Sequence, residues 1–473
     1  MIAREVLNLA RCNPQSPAII TSTERWTYSE LVESAVSTAD QLKDCGGRQV
    51  GVWCDRPCAL LAILIALDSM GVDVVILPAS ATVEQVCQRS SELQLTIVAT
   101  NHSSTHILSD EGQHLFRPID FSRRGSKRAA TQHTSSSRKV VLFTSGTSGQ
   151  PKPVIHTWKT LSAGVNLDPK YVGRRWLLAY ESTSFAGIQV WLQSLLTGGC
   201  LCVPEMRDPS ATAQLLLRDQ VEFASATPSF WRLLLHSVSN QELSKAALVQ
   251  ITLGGEAVDQ SLLDSLHRAF PLARLTHIYA STEMGVCFSV SDGQAGFPAT
   301  YLSNPALPCQ LRIGAEGELE ILSRRTMVGY FPGQEQSSAE SPKNAFGRSS
   351  WFATGDLVER RNDRIYFVGR KSETINVGGA KVYPADVERC ISGVPGVLQV
   401  RVYGMPSSLS GQLVAAEVQP ITETDQENLR TAILSACQQQ LARHQVPARI
   451  TFCDQLPFNP GGKLLRREVL HGA

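Results

Sequence analysis

The sequence predicts an α/β protein: a large amino-terminal domain of helix-covered, mainly parallel sheets with a small β-barrel-like part, then a small α+β carboxy-terminal domain. Three observations predict it. Strand-length apolar runs alternate with helix-length segments up to Tyr279, and the strands are apolar on both faces, as in parallel sheet buried under helices. From about Val286 the texture changes to short alternating runs, the pattern of antiparallel hairpins. Beyond Arg370 a second, smaller set of strands and helices begins. A chain of 473 residues has room for two or three domains, and we divide it into 1–370 and 371–473.

Trp26-Thr27-Tyr28-Ser29-Glu30-Leu31 carries a capping pattern and opens a helix towards Leu42. Val50 to Cys54 is a strand, Ala59 to Met70 a helix, and Val72 to Leu77 a strand stopped by Pro78. A helix over Val83 to Leu93 leads to a strand over Thr96 to Ala99. After the apolar run Val140-Val141-Leu142-Phe143, strands fall at Trp176–Tyr180, Cys200–Val203, Phe223–Ala226, Val249–Leu253 and Leu275–Tyr279. The helices between them are Gly187–Leu196, Ala211–Leu217, Phe230–His236 and Ser261–Phe270. Leu311–Ile313 and Gly317–Leu322 make a hairpin, and Gly333 to Arg348, rich in Ser, Gly and Pro, is a loop. The last unit has helices Pro384–Ile391 and Glu427–Leu441 and strands near Gln399–Val402 and Val414–Val418.

The totals exclude several function classes. Lys and Arg number 44 against 43 Asp and Glu, so no broad field favours nucleic acid or acidic membranes. The one basic cluster, Arg123 to Arg128, lies in a polar stretch and reads as a solvated loop. The 12 cysteines form no CxxC pair and read as small buried apolar residues of a reducing compartment, without zinc or disulfides. With Arg4, Glu5 and no long apolar core at the start, we expect no secretory signal, and the longest apolar run, Ala59 to Leu67, is too short for a membrane span. We expect a cytoplasmic monomer or homodimer.

Chemistry is concentrated at strand ends, where ligands gather in doubly wound sheets. Val140–Phe143 passes directly into Thr144-Ser145-Gly146-Thr147-Ser148-Gly149-Gln150-Pro151-Lys152. Its glycines let backbone approach an anion, its hydroxyls bond phosphate oxygens, and Lys152 adds a mobile positive charge. A Walker loop would need Ser or Thr after the lysine, and Pro153 stands there instead. The loop should bind a nucleoside triphosphate in another manner. At a second strand end, Gly254-Gly255-Glu256-Ala257 lets a flat adenine ring lie on the backbone. At a third, Tyr279-Ala280-Ser281-Thr282-Glu283 sets a carboxylate beside a hydroxyl, which suits Mg²⁺, a cation that takes few protein ligands and keeps its waters.

These stretches resemble the motifs of the adenylate-forming superfamily: acyl-CoA synthetases, aryl-acid ligases, luciferases and peptide-synthetase adenylation domains. The loop is similar to its signature loop, and Tyr279–Glu283 to its YGxTE motif with Ala280 in place of Gly. The resemblance implies that Thr282 contacts the α-phosphate and Glu283 holds Mg²⁺. Thr354-Gly355-Asp356 matches the TGD motif and makes Asp356 the ribose ligand, with Arg370 a second ribose contact. Ser372 stands at the hinge position, usually Asp or Lys, before a mobile carboxy-terminal domain. Val377 to Val382, a glycine-rich strand with Gly378, Gly379 and Lys381, corresponds to the segment lining a thiol tunnel. Asn459-Pro460-Gly461-Gly462-Lys463-Leu464-Leu465-Arg466 resembles NPxGKxxR and makes Lys463 catalytic, together with Thr282 and Glu283. A carboxylate nearing the α-phosphate meets a repulsion of roughly 4 kcal/mol at about 4 Å and an effective dielectric of about 20, which a lysine offsets.

The resemblance also places the acid pocket near Trp158, Phe185, Ala186, Gly187 and Gly285, as an apolar, open wall. No acidic residue occurs between Ser182 and Leu192 to pair an ammonium, which disfavours α-amino acids. His156-Thr157-Trp158 is similar to the same stretch of o-succinylbenzoate–CoA ligases. The implied reaction is acid plus ATP to acyl-AMP, then a thioester on CoA or on the phosphopantetheine of a carrier protein acting in trans. The implied cofactors are ATP, Mg²⁺ and CoA, and the partner is a small-molecule carboxylic acid.

Overall fold

The computed structural model describes residues 1–45, 47–102, 116–122, 138–144, 151–204, 208–323, 325–331, 351–421, 424–458 and 464–465. Two large sheets carry the amino-terminal domain. One has eight strands, in the order Gly285–Val290, Arg274–Ser281, Gln250–Gly254, Phe223–Ala226, Arg175–Leu178, Cys200–Cys202, Pro17–Ile20 and Arg25–Thr27. Its inner pairs are parallel, and the outermost pair at each edge is antiparallel. The other has seven, in the order Gly329–Tyr330, Pro153–Thr157, Lys139–Phe143, Asp73–Ile76, Gln49–Trp53, Val98–Thr100 and Phe116–Pro118. Lys139–Phe143 pairs antiparallel with Pro153–Thr157.

Helix boundaries follow local chemistry. Thr27 caps the helix Tyr28–Gln41 by accepting from the Glu30 N–H, while the Glu30 carboxylate accepts from the Thr27 N–H at 2.8 Å. Helix Pro57–Met70 starts at a proline and ends at Gly71 in the left-handed region, φ +67°. It is apolar on every side and therefore wholly interior. Its side chains share one core with strands of both sheets and with helix Phe185–Leu196. The helix Ile2–Cys12 and the short strands Pro17–Ile20 and Arg25–Thr27 complete this region.

The barrel-like part is a five-stranded antiparallel sheet: Phe297–Pro298, Arg364–Arg370, Phe352–Arg361, Glu318–Ser323 and Cys309–Ile313. Arg364, only 7 % exposed, joins it to its neighbours by donating to Asp292 at 2.7 Å and to the carbonyls of Gln294, Ala295 and Gly296. The smaller carboxy-terminal domain wraps helices Pro384–Ser392 and Gln426–Gln440 against the long hairpin Val397–Ser407 and Gly411–Pro420, with Arg449–Phe452 parallel to it. Its first segment corrects one expectation. Val377–Val382 is not one strand but a hairpin, Ile375–Val377 and Ala380–Val382, with Gly378 and Gly379 at the turn at φ +57° and +89°. Two consecutive positive φ values are what a two-residue hairpin turn demands.

All twelve cysteines are free, most of them buried. Among the described residues no helix is long and apolar enough to cross a membrane.

Replacing Arg364 with methionine strands the buried carbonyls of Ala295 and Gly296 and removes the ion pair to Asp292. Urea unfolding should show a loss of about 3 kcal/mol.

Candidate active site

Lys139–Phe143 and Pro153–Thr157 hold the ends of the glycine-rich stretch together. The Thr144 N–H donates to the Lys152 carbonyl at 3.0 Å, and the Lys152 N–H faces Thr144 Oγ1 at 3.4 Å. Ser145, Gly146, Thr147, Ser148 and Gly149 lie outside the described residues, as does Lys463.

Pro153–Thr157 also positions the turn carrying Thr282 and Glu283. Buried His156, 1 % exposed, donates from Nε2 to the Thr282 carbonyl at 2.7 Å, and its Nδ1 faces the Thr160 hydroxyl at 3.1 Å. Burial pushes its pKa down to about 4, the Thr282 carbonyl opposing only in part, so the ring is a neutral tie at neutral pH. The Glu283 carbonyl accepts from the Met327 N–H at 2.8 Å, and the next residue, Val328, donates to Ile155 at 2.7 Å. Glu283 and Lys152 thus flank one seam: Tyr330, which feels the Glu283 charge, pairs with Val154. The Glu283 side chain is half-buried, on the turn that follows the strand Arg274–Ser281. Among the described residues no group of three or more His, Cys, Asp or Glu could hold a metal by itself. One carboxylate beside bound phosphates fits Mg²⁺, which keeps most of its waters.

The strand Arg274–Ser281 brings Tyr279 to Asp356. The Tyr279 hydroxyl donates to Asp356 Oδ2 at 2.5 Å, and Arg370 Nε lies 2.9 Å from Oδ1. Asp356 and Arg370 are register partners on neighbouring strands, so strand pairing itself sets the ion pair. Thr354-Gly355-Asp356 is therefore part of a strand, with Gly355 at φ +75° and its N–H on Glu318 at 2.7 Å. The Tyr279 ring stacks between Phe288 and Phe367, centroids 5.3 and 4.9 Å away. Burial first, and the Asp356 charge second, push the Tyr279 hydroxyl well above its ordinary pKa, so it stays a donor.

Gly254 ends its strand beside Ile278, and its carbonyl accepts from the Tyr180 hydroxyl at 3.3 Å. Gly255, at φ +89°, and Ala257 are exposed. Glu256 differs from its neighbours. Oε2 accepts from the Ser229 N–H and hydroxyl at 2.9 and 2.7 Å, and Oε1 from the Leu464 N–H at 3.1 Å. Ala280 and Ser281 complete the Arg274–Ser281 strand, and the Ser281 hydroxyl accepts from the Met284 N–H at 3.1 Å.

Three residues of the expected acid pocket are buried. Trp158, 2 % exposed, is a core residue set edge-on to Trp191 at 6.1 Å, because it is the first residue of a short helix facing inward. Gly187 is small because helix Phe185–Leu196 starts hard against the Glu181 carbonyl, which a Cβ would meet at 2.1 Å. Gly285 is buried at φ +70°, where a Cβ would stand 3.0 Å from the Arg325 carbonyl. Phe185 and Ala186 are part-exposed, Phe185 beside the His156 ring at 6.1 Å. Ser372, Gly378, Gly379 and Lys381 are exposed. Tyr180 and Ser229 were not singled out by the sequence, although Tyr180 sits at a strand end, the place to look.

A family model described as "AMP-binding enzyme" matches residues 8–331, and its carboxy-terminal companion matches 386–463. The chain belongs to the AMP-binding enzyme family. Among similar relatives, the 2-succinylbenzoate–CoA ligase of Bacillus cereus (strain ZK / E33L) is 26 % identical, with 98 % of this chain and 97 % of that one covered. The enzyme of that name from Bacillus cytotoxicus is 25 % identical over the same shares. The Bacillus subtilis o-succinylbenzoate CoA synthetase, solved with its acyl-adenylate, superposes with TM-score 0.77 at 22 % identity, over 99 % of this chain and 98 % of that one. An anthranilate CoA ligase with anthranoyl-AMP gives 0.81 at 18 % identity, over 98 % and 95 %. The last two likenesses establish the fold.

This AMP-binding enzyme should carry a pH signature of His156. Its folded pKa, about 4, lies below the unfolded value of about 6.5. Between those values the unfolded chain holds the extra proton, so stability is full above about pH 6.5 and falls by up to roughly 3 kcal/mol as pH drops towards 4. Urea unfolding of wild type and His156→Gln across that window should show a shallower fall in the variant.

Proposed function

We propose that this protein activates a carboxylic acid with ATP and transfers the acyl group to the thiol of CoA. The observation that carries the reading is the Tyr279–Asp356–Arg370 cluster, continuous through Arg274–Ser281 with the Thr282–Glu283 turn and through His156 with the strand that follows the glycine-rich loop. It offers a paired carboxylate for ribose hydroxyls at one end and hydroxyl, carboxylate and lysine groups for phosphates at the other.

In the first half-reaction an acid oxygen attacks the α-phosphorus, and the bond to pyrophosphate breaks. Lys152 and the glycine-rich loop hold the phosphates, Thr282 contacts the α-phosphate, and Asp356 with Arg370 fixes the ribose. Mg²⁺, held through Glu283, would neutralise charge on the phosphates. Lys463 balances the two anions as they close. In the second half-reaction the CoA sulfur attacks the acyl carbonyl and AMP leaves with its electron pair, with Gly378, Gly379 and Lys381 near the thiol's path. The working units are residues 1–370 and 371–473. The names of the relatives make 2-succinylbenzoate, an aromatic acid with a second carboxylate, the first acid to try.

The decisive measurement is acid-dependent exchange of labelled pyrophosphate into ATP, followed by thioester formation on adding CoA. Lys463→Ala should slow acyl-AMP formation about 10²–10³-fold and leave thioester formation from supplied acyl-AMP unchanged; an equal fall in both would refute its role. Asp356→Asn should raise the KM for ATP about tenfold or more with little change in the KM for acid, measured by initial rates of pyrophosphate release.

A further inference from the structure

Glu256 lies in the Gly254–Ala257 stretch, whose glycines are available to a nucleotide, yet its own carboxylate is fully engaged within the protein. One oxygen takes the backbone N–H and hydroxyl of Ser229, at the start of helix Pro228–Ser237. That is the end of a helix where negative charge is favoured. The other takes the backbone N–H of Leu464 at 3.1 Å, across 208 residues of sequence. Leu464 belongs to the carboxy-terminal domain. It bridges Phe458, and the next residue, Leu465, donates to the Pro457 carbonyl at 2.9 Å and accepts from Arg401 at 3.0 Å. Arg401 is 4 % exposed and paired with Glu417 at 2.5 Å, so that side of the anchor is itself rigid. A second bond joins the same patches: Gln399 Nε2 donates to the Ser229 carbonyl at 3.2 Å.

We propose that Glu256 is a positioning residue for Lys463, acting through the amide of the next residue, and that Ser229 and Gln399 complete the clasp. The inference rests on the function proposed above for Lys463. The geometry favours it over a nucleotide contact for the same side chain. Both carboxylate oxygens already accept charge-assisted bonds from amides or a hydroxyl, and turning either towards an adenine would strand a donor. A clasp on residue 464 fixes where the main chain leaves residue 463. A long lysine needs such an origin, because its own stem has many rotamers to lose.

The experiment has two arms. In the first, hydrogen exchange by mass spectrometry follows the peptide containing Leu464 in wild type, Glu256→Ala and Gln399→Ala, with no substrate present. Faster exchange there in Glu256→Ala, by about tenfold or more, is expected, with a smaller rise in Gln399→Ala. Equal exchange in all three proteins would overturn the clasp. The second arm measures the half-reactions separately. Glu256→Ala should slow acyl-AMP formation about 10–100-fold with the KM for ATP nearly unchanged, and leave thioester formation from supplied acyl-AMP intact. Glu256→Gln, which keeps one acceptor oxygen, should recover part of the rate. A raised KM for ATP at constant kcat would assign Glu256 to the nucleotide instead. If wild type forms no acyl-AMP from any acid, the functional reading fails, and the exchange arm still decides whether Glu256 holds Leu464.

Discussion

A half-buried carboxylate between two donors is the interaction on which this structure turns. Asp356 can lose water only because Arg370 faces it across one pair of strands and Tyr279 reaches it from another sheet. Each partner comes from a different structural origin. Arg370 is brought by register in the antiparallel sheet, Tyr279 by the last parallel strand of the eight-stranded sheet. The cluster therefore forms only where the two sheets are docked correctly. The flat stack of Tyr279 on Phe288 and Phe367 gives that docking its apolar support.

The same economy governs the turn at Thr282 and Glu283. Its backbone is held by others: His156 takes the Thr282 carbonyl and Met327 the Glu283 carbonyl. A charged histidine would have had to keep water or a counter-ion in that place. Burial keeps it neutral, so it can join the seven-stranded sheet to the eight-stranded one without adding a charge beside phosphate groups.

Much of this was legible in the sequence, and the failures share a cause. Helix Pro57–Met70 and strand Lys139–Phe143 are readable because burial leaves unbroken apolar runs, Ala59–Leu67 and Val140–Phe143. The sequence singles out Glu283 as a charge just past a strand end and Asp356 by its motif alone, since Asp356 lies inside the strand Phe352–Arg361. Gly187 and Gly285 read as an open wall, yet both are buried, and each gives room to a carbonyl that comes close only in three dimensions. Trp158 looked like a pocket wall because a residue near a loop in sequence is easily taken to face it, and its partner Trp191 is thirty-three positions away. The Gly378-Gly379 pair reads as strand interior, although Gly-Gly is among the pairs that favour a two-residue hairpin turn.

Glu256 shows the deeper limit of reading a motif. Its neighbours Gly254 and Gly255 offer backbone to a ligand, and proximity in sequence invites the same role for the acid. Yet a carboxylate can satisfy partners on two sides at once, and here the sides are a helix start and the far end of the chain. A residue next to Gly254 and Gly255 that also holds Leu464 ties that part of the carboxy-terminal domain to the start of helix Pro228–Ser237. Two anions have to approach within bonding distance in this site, and a lysine can offset their repulsion only if its origin is set before they meet. That requirement explains why an acidic side chain among glycines would face away from the ligand and towards the backbone beside the lysine.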